Sequence, residues 1–322
     1  MTAAVAQAPT LNPVAVLTGP TGTGKTDLAL ALAREFPVEI VSVDSAQVYR
    51  GLDIGSAKPS PDIRTQVRHH LIDLVEPCES YSAGQFVRDC IQAIEDIERR
   101  GRIPLLVGGT MLYLRSLIGG IAELPEGTPE VRARLDAEAA SIGWAALHAR
   151  LVTLDPVAAA RIHPNDAQRI QRALEVHATT GTPISALQAR TAAALPREFR
   201  VVALVPAERA RLHAGLAQRF EGMMKAGLLD EVRGLYRRGD LTDAHPAIRA
   251  VGYRQLWAHL AGSYPLEIAV ERAIAATRQL AKRQMTWIRS EPGLTWMDPF
   301  AAGSYEHWRM QVDEWLEPRN SA

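Results

Sequence analysis

The 322-residue sequence predicts an α/β fold, a parallel sheet interleaved with helices, and three observations carry that prediction. The first is Gly19-Pro20-Thr21-Gly22-Thr23-Gly24-Lys25-Thr26, a complete G-x-x-x-x-G-K-[ST] loop directly after the apolar run Val14-Ala15-Val16-Leu17. Such a loop turns consecutive backbone N–H groups inward around the oxygens of a diphosphate. Lys25 adds a point charge, and the Thr26 hydroxyl sits at a helix N-terminus, where it can ligate Mg²⁺. The second observation is the alternation of short apolar strands with helical stretches through the first third of the chain, the pattern of parallel strands joined by crossovers. The third is a change near Ala122 to helices punctuated by prolines, lasting to Arg200. Together they predict a P-loop NTPase-like core over residues 13–121 and 201–322 and a small inserted helical domain over 122–200. The C-terminal region is expected to be helical, and residues 1–12 to form a disordered extension.

The elements follow in order. A strand ends at Thr18, a helix runs from Thr26 to about Phe36, and a strand covers Glu39 to Val43. After a polar loop through Ser60 come a strand at His70 to Val75, a helix from about Gly84 to Arg100 and a strand at Ile103 to Val107. Ser82 and Gln85 stand at capping-box spacing before that helix. In the insertion, Asp155-Pro156 reads as a cap followed by a first-turn proline. Asn165 is placed to cap a helix running to about Thr179, with Gly181 beyond its end. A strand at Val201 to Val205 returns to the core, and Tyr305, Trp308, Val312 and Trp315 form a packing stripe near the C-terminus.

Composition narrows the function classes. Thirty-six basic and 36 acidic residues balance, so a nucleic-acid surface has to be a local patch. Cys78 and Cys90 have no metal-ligand spacing, and Cys90 shares a helical stripe with Phe86, Ile94 and Ile97, where a thiol packs as a small apolar group. No apolar run is long enough to span a bilayer, and the first 13 residues have neither signal-peptide nor presequence character. The expectation is a cytoplasmic monomer without membrane contact.

Beyond the loop, the segment Ser42 to Pro59 is the most informative. Asp44 is expected to end the strand beside the P-loop strand, where a carboxylate either holds Mg²⁺ through water or accepts a proton from a nucleophile above the phosphates. The strand at Ile103 runs into Gly108-Gly109-Thr110 with no terminal acid, unlike a motor ATPase, and offers a hydroxyl instead. Arg219 lies at the edge of the stripe Leu212, Leu216, Phe220 and Met223, where an arginine either snorkels to solvent or clamps an anion. Two basic patches remain. In the insertion, Gln168, Gln171, Arg172 and Glu175 lie opposite Ile170, Leu174 and His177, with Arg169 on the flank. Further on, Arg278, Lys282 and Arg289 fall within about 40° of one another on a helix, a ridge able to follow a phosphate backbone. Two such patches, one inside an insertion, suggest RNA.

The loop Gly19 to Thr26 and the run Ser42 to Pro59, with Gly108 to Tyr113, Arg249 to Gln255 and Thr277 to Gln284, resemble those of bacterial tRNA dimethylallyltransferases, and the resemblance covers about residues 13 to 298. The resemblance implies transfer of a dimethylallyl group from dimethylallyl diphosphate, with Mg²⁺, to N6 of the adenosine just 3′ of the anticodon of tRNA, and an insertion that binds the anticodon stem. It implies that the loop Gly19 to Thr26 holds the diphosphate, that Thr26 places the metal, and that Asp44, Thr110 and Arg219 form the catalytic set. Contacts to tRNA are implied for Asp44, Ser45, Ala46, Gln47, Thr110, Arg132, Gln168, Arg169, Ile170, Gln171, Arg172, Arg249, Ala250, Val251, Gly252, Tyr253, Arg254, Arg278 and Lys282. A small-molecule P-loop kinase would share the loop and Mg²⁺ but needs an adenine pocket and an arginine-bearing lid, neither visible here. An adenylate isopentenyltransferase would share the chemistry with a free nucleotide as acceptor.

Overall fold

The computed structural model describes residues 13–122, 124–189, 195 and 197–316; the extension expected at residues 1–12 lies outside them. The chain divides into two compact units, one made of the residues up to Arg115 and from Arg197 onward, the other Ser116–Pro196. The first unit opens with β1 (Val14–Thr18), α1 (Lys25–Glu35), β2 (Val38–Val43), α2 (Pro61–Gln66), β3 (His69–His70), α3 (Ala83–Arg99), β4 (Ile103–Gly108) and α4 (Met111–Gly119), in which the boundary falls. The second unit contains α5 (Pro129–Ile142), α6 (Trp144–Leu154), α7 (Pro156–Ala159), α8 (Ala167–Thr180) and α9 (Ile184–Gln188). The first then resumes with β5 (Phe199–Leu204), α10 (Arg209–Lys225), α11 (Leu228–Arg237), α12 (Tyr253–Leu260), α13 (Leu266–Ser290), β6 (Thr295–Met297) and α14 (Ser304–Leu316).

The six strands make one parallel sheet in the order β3-β2-β4-β1-β5-β6. Every residue of β1 and β2 is buried, as a parallel sheet covered on both faces requires. On one face Leu17, Val202, Leu204 and Met297 pack with Trp308 and Val312 of α14, which gives the C-terminal stripe its packing role. Trp315 meets the Trp308 ring edge-on, and the Tyr305 hydroxyl donates to Glu35. In α3, Phe86, Cys90, Ile94 and Ile97 are all buried, and burial pushes the Cys90 thiol up to about 12, out of reach of ordinary thiolate chemistry. Ser82 and Gln85 close a complete capping box at its start.

Three expectations change, and two short elements, α2 and β6, were not among those expected. β2 does not neighbour β1: β4 lies between them, so Asp44 stands two strands from the loop strand. The strand expected at His70 to Val75 stops at His70, because Leu71 and Asp73 take left-handed φ values of 61° and 56°, which no strand accommodates; only a lone bridge pairs Tyr49 with Val75. Lys58 and Arg64 hold the Asp73 carboxylate in that turn. Asp166, not Asn165, caps α8, its carboxylate accepting the Arg169 N–H at 3.2 Å. The helix α2 was readable from Ser60-Pro61, a cap followed by proline at the first helical position, and β6 is a three-residue edge strand too short to show a period.

In the second unit the informative group is Glu175, which sits on the expected polar face of α8 yet is fully buried. Its carboxylate accepts from Arg132 Nε at 2.7 Å, Arg172 at 2.7 Å and the Thr128 N–H at 2.9 Å, tying α8 to the start of α5. Burial would push Glu175 up, but these hydrogen bonds outweigh it and hold its carboxyl below the ordinary value. A depressed native pKa means stability that is fully present above the unfolded value near 4.5 and is lost as pH falls toward the folded one. Glu175→Ala is therefore expected to cost about 1–3 kcal/mol at neutral pH, with the difference from the unsubstituted chain shrinking below about pH 4. Urea unfolding followed by circular dichroism at several pH values measures it, and a constant difference across pH would contradict the assignment.

Candidate active site

The strand register builds the site. Thr18 pairs with Gly108, and Gly108 pairs with Val43, so β1, β4 and β2 end on one row. The three loops that follow, Gly19 to Lys25, Gly109-Thr110 and Asp44 to Gln47, therefore leave the sheet side by side at its C-terminal edge, where open α/β sheets place their ligands. The row is tight. A Cβ on Gly108 would stand 2.1 Å from the Val43 carbonyl oxygen, and the Thr18 hydroxyl donates to the Gly108 carbonyl at 2.9 Å.

In the P-loop, Gly24 takes a left-handed φ of 75° at the start of α1, a turn that glycine adopts without strain. Lys25 reaches back over the loop, its ammonium donating to the carbonyls of Gly19 at 2.9 Å and Pro20 at 2.8 Å. Burial lowers its pKa to about 8; Asp44 opposes that fall, and the Arg219 guanidinium adds to it. Arg219 is itself lowered by desolvation, although much of its surface meets solvent, and is supported by the carboxylates of Asp44 and Asp27. Among the described residues it makes no hydrogen bond or ion pair within 4.0 Å. Two cations facing one carboxylate suit an anion, and a bound diphosphate would further favour the charged form of both.

Asp44 follows β2, and its Oδ1 accepts the N–H of Ala46 at 2.8 Å, with the N–H of Gln47 at a longer 3.4 Å. The neighbouring Ser45 N–H donates to Thr110 Oγ at 3.0 Å, which locks the Asp44 turn to the turn after β4. Two cavities meet here. The smaller, of 320 Å³, is lined by Thr21 to Thr26, Asp44, Gln47 and Arg219. The larger, of 490 Å³, is lined by Asp44, Ser45, Ala46, Thr110, Arg219, Arg249, Ala250, Val251 and Tyr253, with apolar walls from Met111, Phe220 and Met223. Asp44 and Arg219 belong to both.

The remaining expected site residues lie as follows. Gln47 lines the smaller cavity, apart from Ser45, and its amide is oriented by the Ser42 hydroxyl, which donates to its Oε1 at 2.8 Å. Tyr253 is fully buried, and its hydroxyl donates to Glu231 at 2.5 Å, so it shapes the larger cavity as a wall. Gly252 starts α12, and Arg249 and Arg254 are exposed on either side of it. On α13, Arg278 and Lys282 are exposed, while Arg283 and Gln284 line the larger cavity. In the other unit Gln168 and Arg169 are exposed, Gln171 donates to Asp136, Ile170 is in that unit's core, and Arg132 and Arg172 hold Glu175.

Sequence reasoning missed Glu231, whose carboxylate accepts the N–H groups of Asp53, Ile54 and Gly55 as well as the Tyr253 hydroxyl, fixing the loop that borders both cavities. An acid in the first turn of α11 reads only as a complement to the helix dipole, and no local signal points to a partner 178 residues away. It also missed Lys58, whose buried side chain donates to the Tyr49 carbonyl and to Asp53 and Asp73 and staples the same loop.

Among the described residues no helix is long and apolar enough to cross a membrane. A sequence model described as IPP transferase matches residues 47–291. The tRNA dimethylallyltransferase of Thioalkalivibrio sulfidiphilus is 56% identical over 287 residues, covering 89% of this chain and 90% of the relative, and that of Bordetella petrii is 54% identical over 283 residues, covering 87% and 90%. Among solved structures, the full-length tRNA isopentenylpyrophosphate transferase of Bacillus halodurans superposes with a TM-score of 0.69 at 35% identity, covering 95% of this chain and 97% of the other. A eukaryotic dimethylallyltransferase captured acting on tRNA gives a TM-score of 0.77 at 29% identity, covering 94% and 78%. With a family model matched over residues 47–291 and relatives more than half identical across most of the chain, the protein belongs to the IPP transferase family.

Proposed function

We propose that this protein transfers the dimethylallyl group of dimethylallyl diphosphate to N6 of the adenosine just 3′ of the anticodon of tRNA, releasing pyrophosphate. The observation that carries this reading is that Asp44 and Arg219 line both cavities at once, so an anion held by the P-loop and a base in the larger cavity share one carboxylate and one guanidinium. The adenosine must leave its stack to enter, since chemistry on a base in a buried site requires extrusion. Its N6 lone pair attacks the allylic carbon as the carbon–oxygen bond breaks, and pyrophosphate leaves with the bonding pair. Asp44 takes the N6 proton, with its Oδ1 fixed by the Ala46 N–H. Lys25, Arg219 and the loop N–H groups offset charge growing on the leaving oxygen. Thr110 orients the Asp44 turn through Ser45, and the exposed Arg249, Arg254, Arg278 and Lys282, with Gln168 and Arg169 of the other unit, meet the polynucleotide.

The donor set also fits Mg²⁺. Thr26, Asp27 and Asp44 offer hard oxygens in the cavity that holds Lys25, and Mg²⁺ is characteristically held by one or two carboxylates plus substrate phosphates and water. Thr26 would hold the ion with one of those carboxylates, and it would supply further neutralisation of the diphosphate.

Incubation with tRNA, Mg²⁺ and dimethylallyl diphosphate, followed by nucleoside mass spectrometry, is expected to yield N6-dimethylallyladenosine; product on free adenine nucleotide and none on tRNA would overturn the acceptor assignment. Asp44→Asn should lower single-turnover rate by about 10² to 10⁴ while both substrates still bind, because an amide cannot take the proton. Recovery of the unsubstituted rate at high Mg²⁺ would instead make Asp44 a metal ligand. Replacing Arg278 and Lys282 by Ala should raise the KM for tRNA and flatten the salt dependence of tRNA binding by about one to two units of log–log slope, with diphosphate affinity untouched. An unchanged slope would leave that ridge a solvated face.

A further inference from the structure

Gln284 projects from α13 to the junction of the two cavities and is half-buried there. Its Oε1 accepts the Thr21 N–H of the P-loop at 2.9 Å, and its Nε2 donates to the Gly109 carbonyl at 2.9 Å. Only a side-chain amide offers a neutral acceptor and donor on one planar fork: a carboxylate cannot donate, and a lysine or arginine cannot accept. The fit leaves no room for a side chain at position 109, where a Cβ would stand 2.5 Å from Gln284 Nε2 and 2.9 Å from the Gly19 carbonyl oxygen. Next to Gly109 stands Thr110, whose Oγ receives the Ser45 N–H beside Asp44. An unbroken series of contacts thus runs from the diphosphate loop through Gln284, Gly109, Thr110 and Ser45 to the carboxylate.

We infer that Gln284 is a positioning residue that locks the P-loop to the Gly109-Thr110 turn and so fixes the distance between leaving group and proton acceptor. Its catalytic consequence rests on the prenyl-transfer reading; its geometry does not. Displacing reacting groups by about 1 Å costs on the order of a hundredfold in rate even when binding survives, so the clamp acts on the chemical step and not on affinity. Because Lys282 and Arg283 directly precede it, the same helix that offers cations to a polynucleotide also grips the diphosphate loop.

The test uses the full chain with Gln284→Leu and, in case that variant does not fold, Gln284→Glu, which keeps the acceptor for Thr21 but sets oxygen against the Gly109 carbonyl. Three quantities are measured: single-turnover rate with tRNA and dimethylallyl diphosphate saturating, KM for tRNA together with Kd for inorganic pyrophosphate, and amide exchange of the peptide holding Thr21. The expected result is a rate about ten- to a hundredfold lower, both binding constants within about threefold of the unsubstituted protein, and at least tenfold faster exchange at Thr21. A raised KM for tRNA at unchanged rate would make Gln284 an RNA contact and overturn the clamp, as would an unchanged rate. Gly109→Ala should produce the same rate loss, and combining it with Gln284→Leu should add little, since both break one device; additive losses would also overturn it. If the unsubstituted protein modifies no tRNA, the reading of function fails on its own, and unchanged exchange at Thr21 is then what overturns the clamp.

Discussion

The structure depends on one backbone constraint, the alignment of Thr18, Gly108 and Val43 on a single row across three parallel strands. Because the hydrogen-bonding register fixes strand ends to one another, the loops after them inherit a common origin, and residues separated by up to 91 positions, such as Gly19 and Thr110, begin within one strand spacing of each other. Gly108 marks how close this approach is. With any other residue there, β4 would have to move away from the Val43 carbonyl, and the Asp44 and P-loop turns would separate.

Electrostatics then give that edge a purpose. Burying Lys25 against backbone carbonyls disfavours its charged form, the neighbouring Arg219 guanidinium adds to that, and Asp44 opposes both. A bound anion would relieve such an arrangement, and preorganised charge at the point where negative charge develops is usually the largest single term in enzymatic rate enhancement. The Asp44 carboxylate faces these cations on one side, while neutral groups fix its turn on the other: the Ala46 N–H donates to it, and the Ser45 N–H donates to the Thr110 hydroxyl.

Around this centre the supporting contacts are long-range and mostly polar. Glu231 gathers three consecutive backbone N–H groups and a tyrosine hydroxyl, Lys58 fastens the same loop from below, and Gln284 bridges two turns. Each satisfies backbone groups that a loop cannot satisfy by itself, so the loops are held without secondary structure of their own. In the other unit Glu175 performs the comparable service for Arg132 and Arg172.

The P-loop, the α3 capping box, the buried Cys90 stripe and the packing stripe of α14 were legible in the sequence, because each is a local pattern whose spacing follows from the 3.6-residue helix or from the chemistry of phosphate. Thr110 and Asp44 were legible as strand-end residues for the same reason. The sequence could not say that β4 separates β2 from β1, since strand order is decided by crossovers and twist and leaves no periodic trace. Nor could it distinguish a free carboxylate from one that anchors distant groups: Glu175 and Glu231 stand on helical faces that look polar, and only the folding of distant segments onto them turns each into an anchor. What the sequence by itself determined is therefore the elements and the chemistry each strand end carries. Tertiary structure alone decided which of those ends meet and which side chains are spent on holding them, because register and burial are properties of segments that are far apart in the chain.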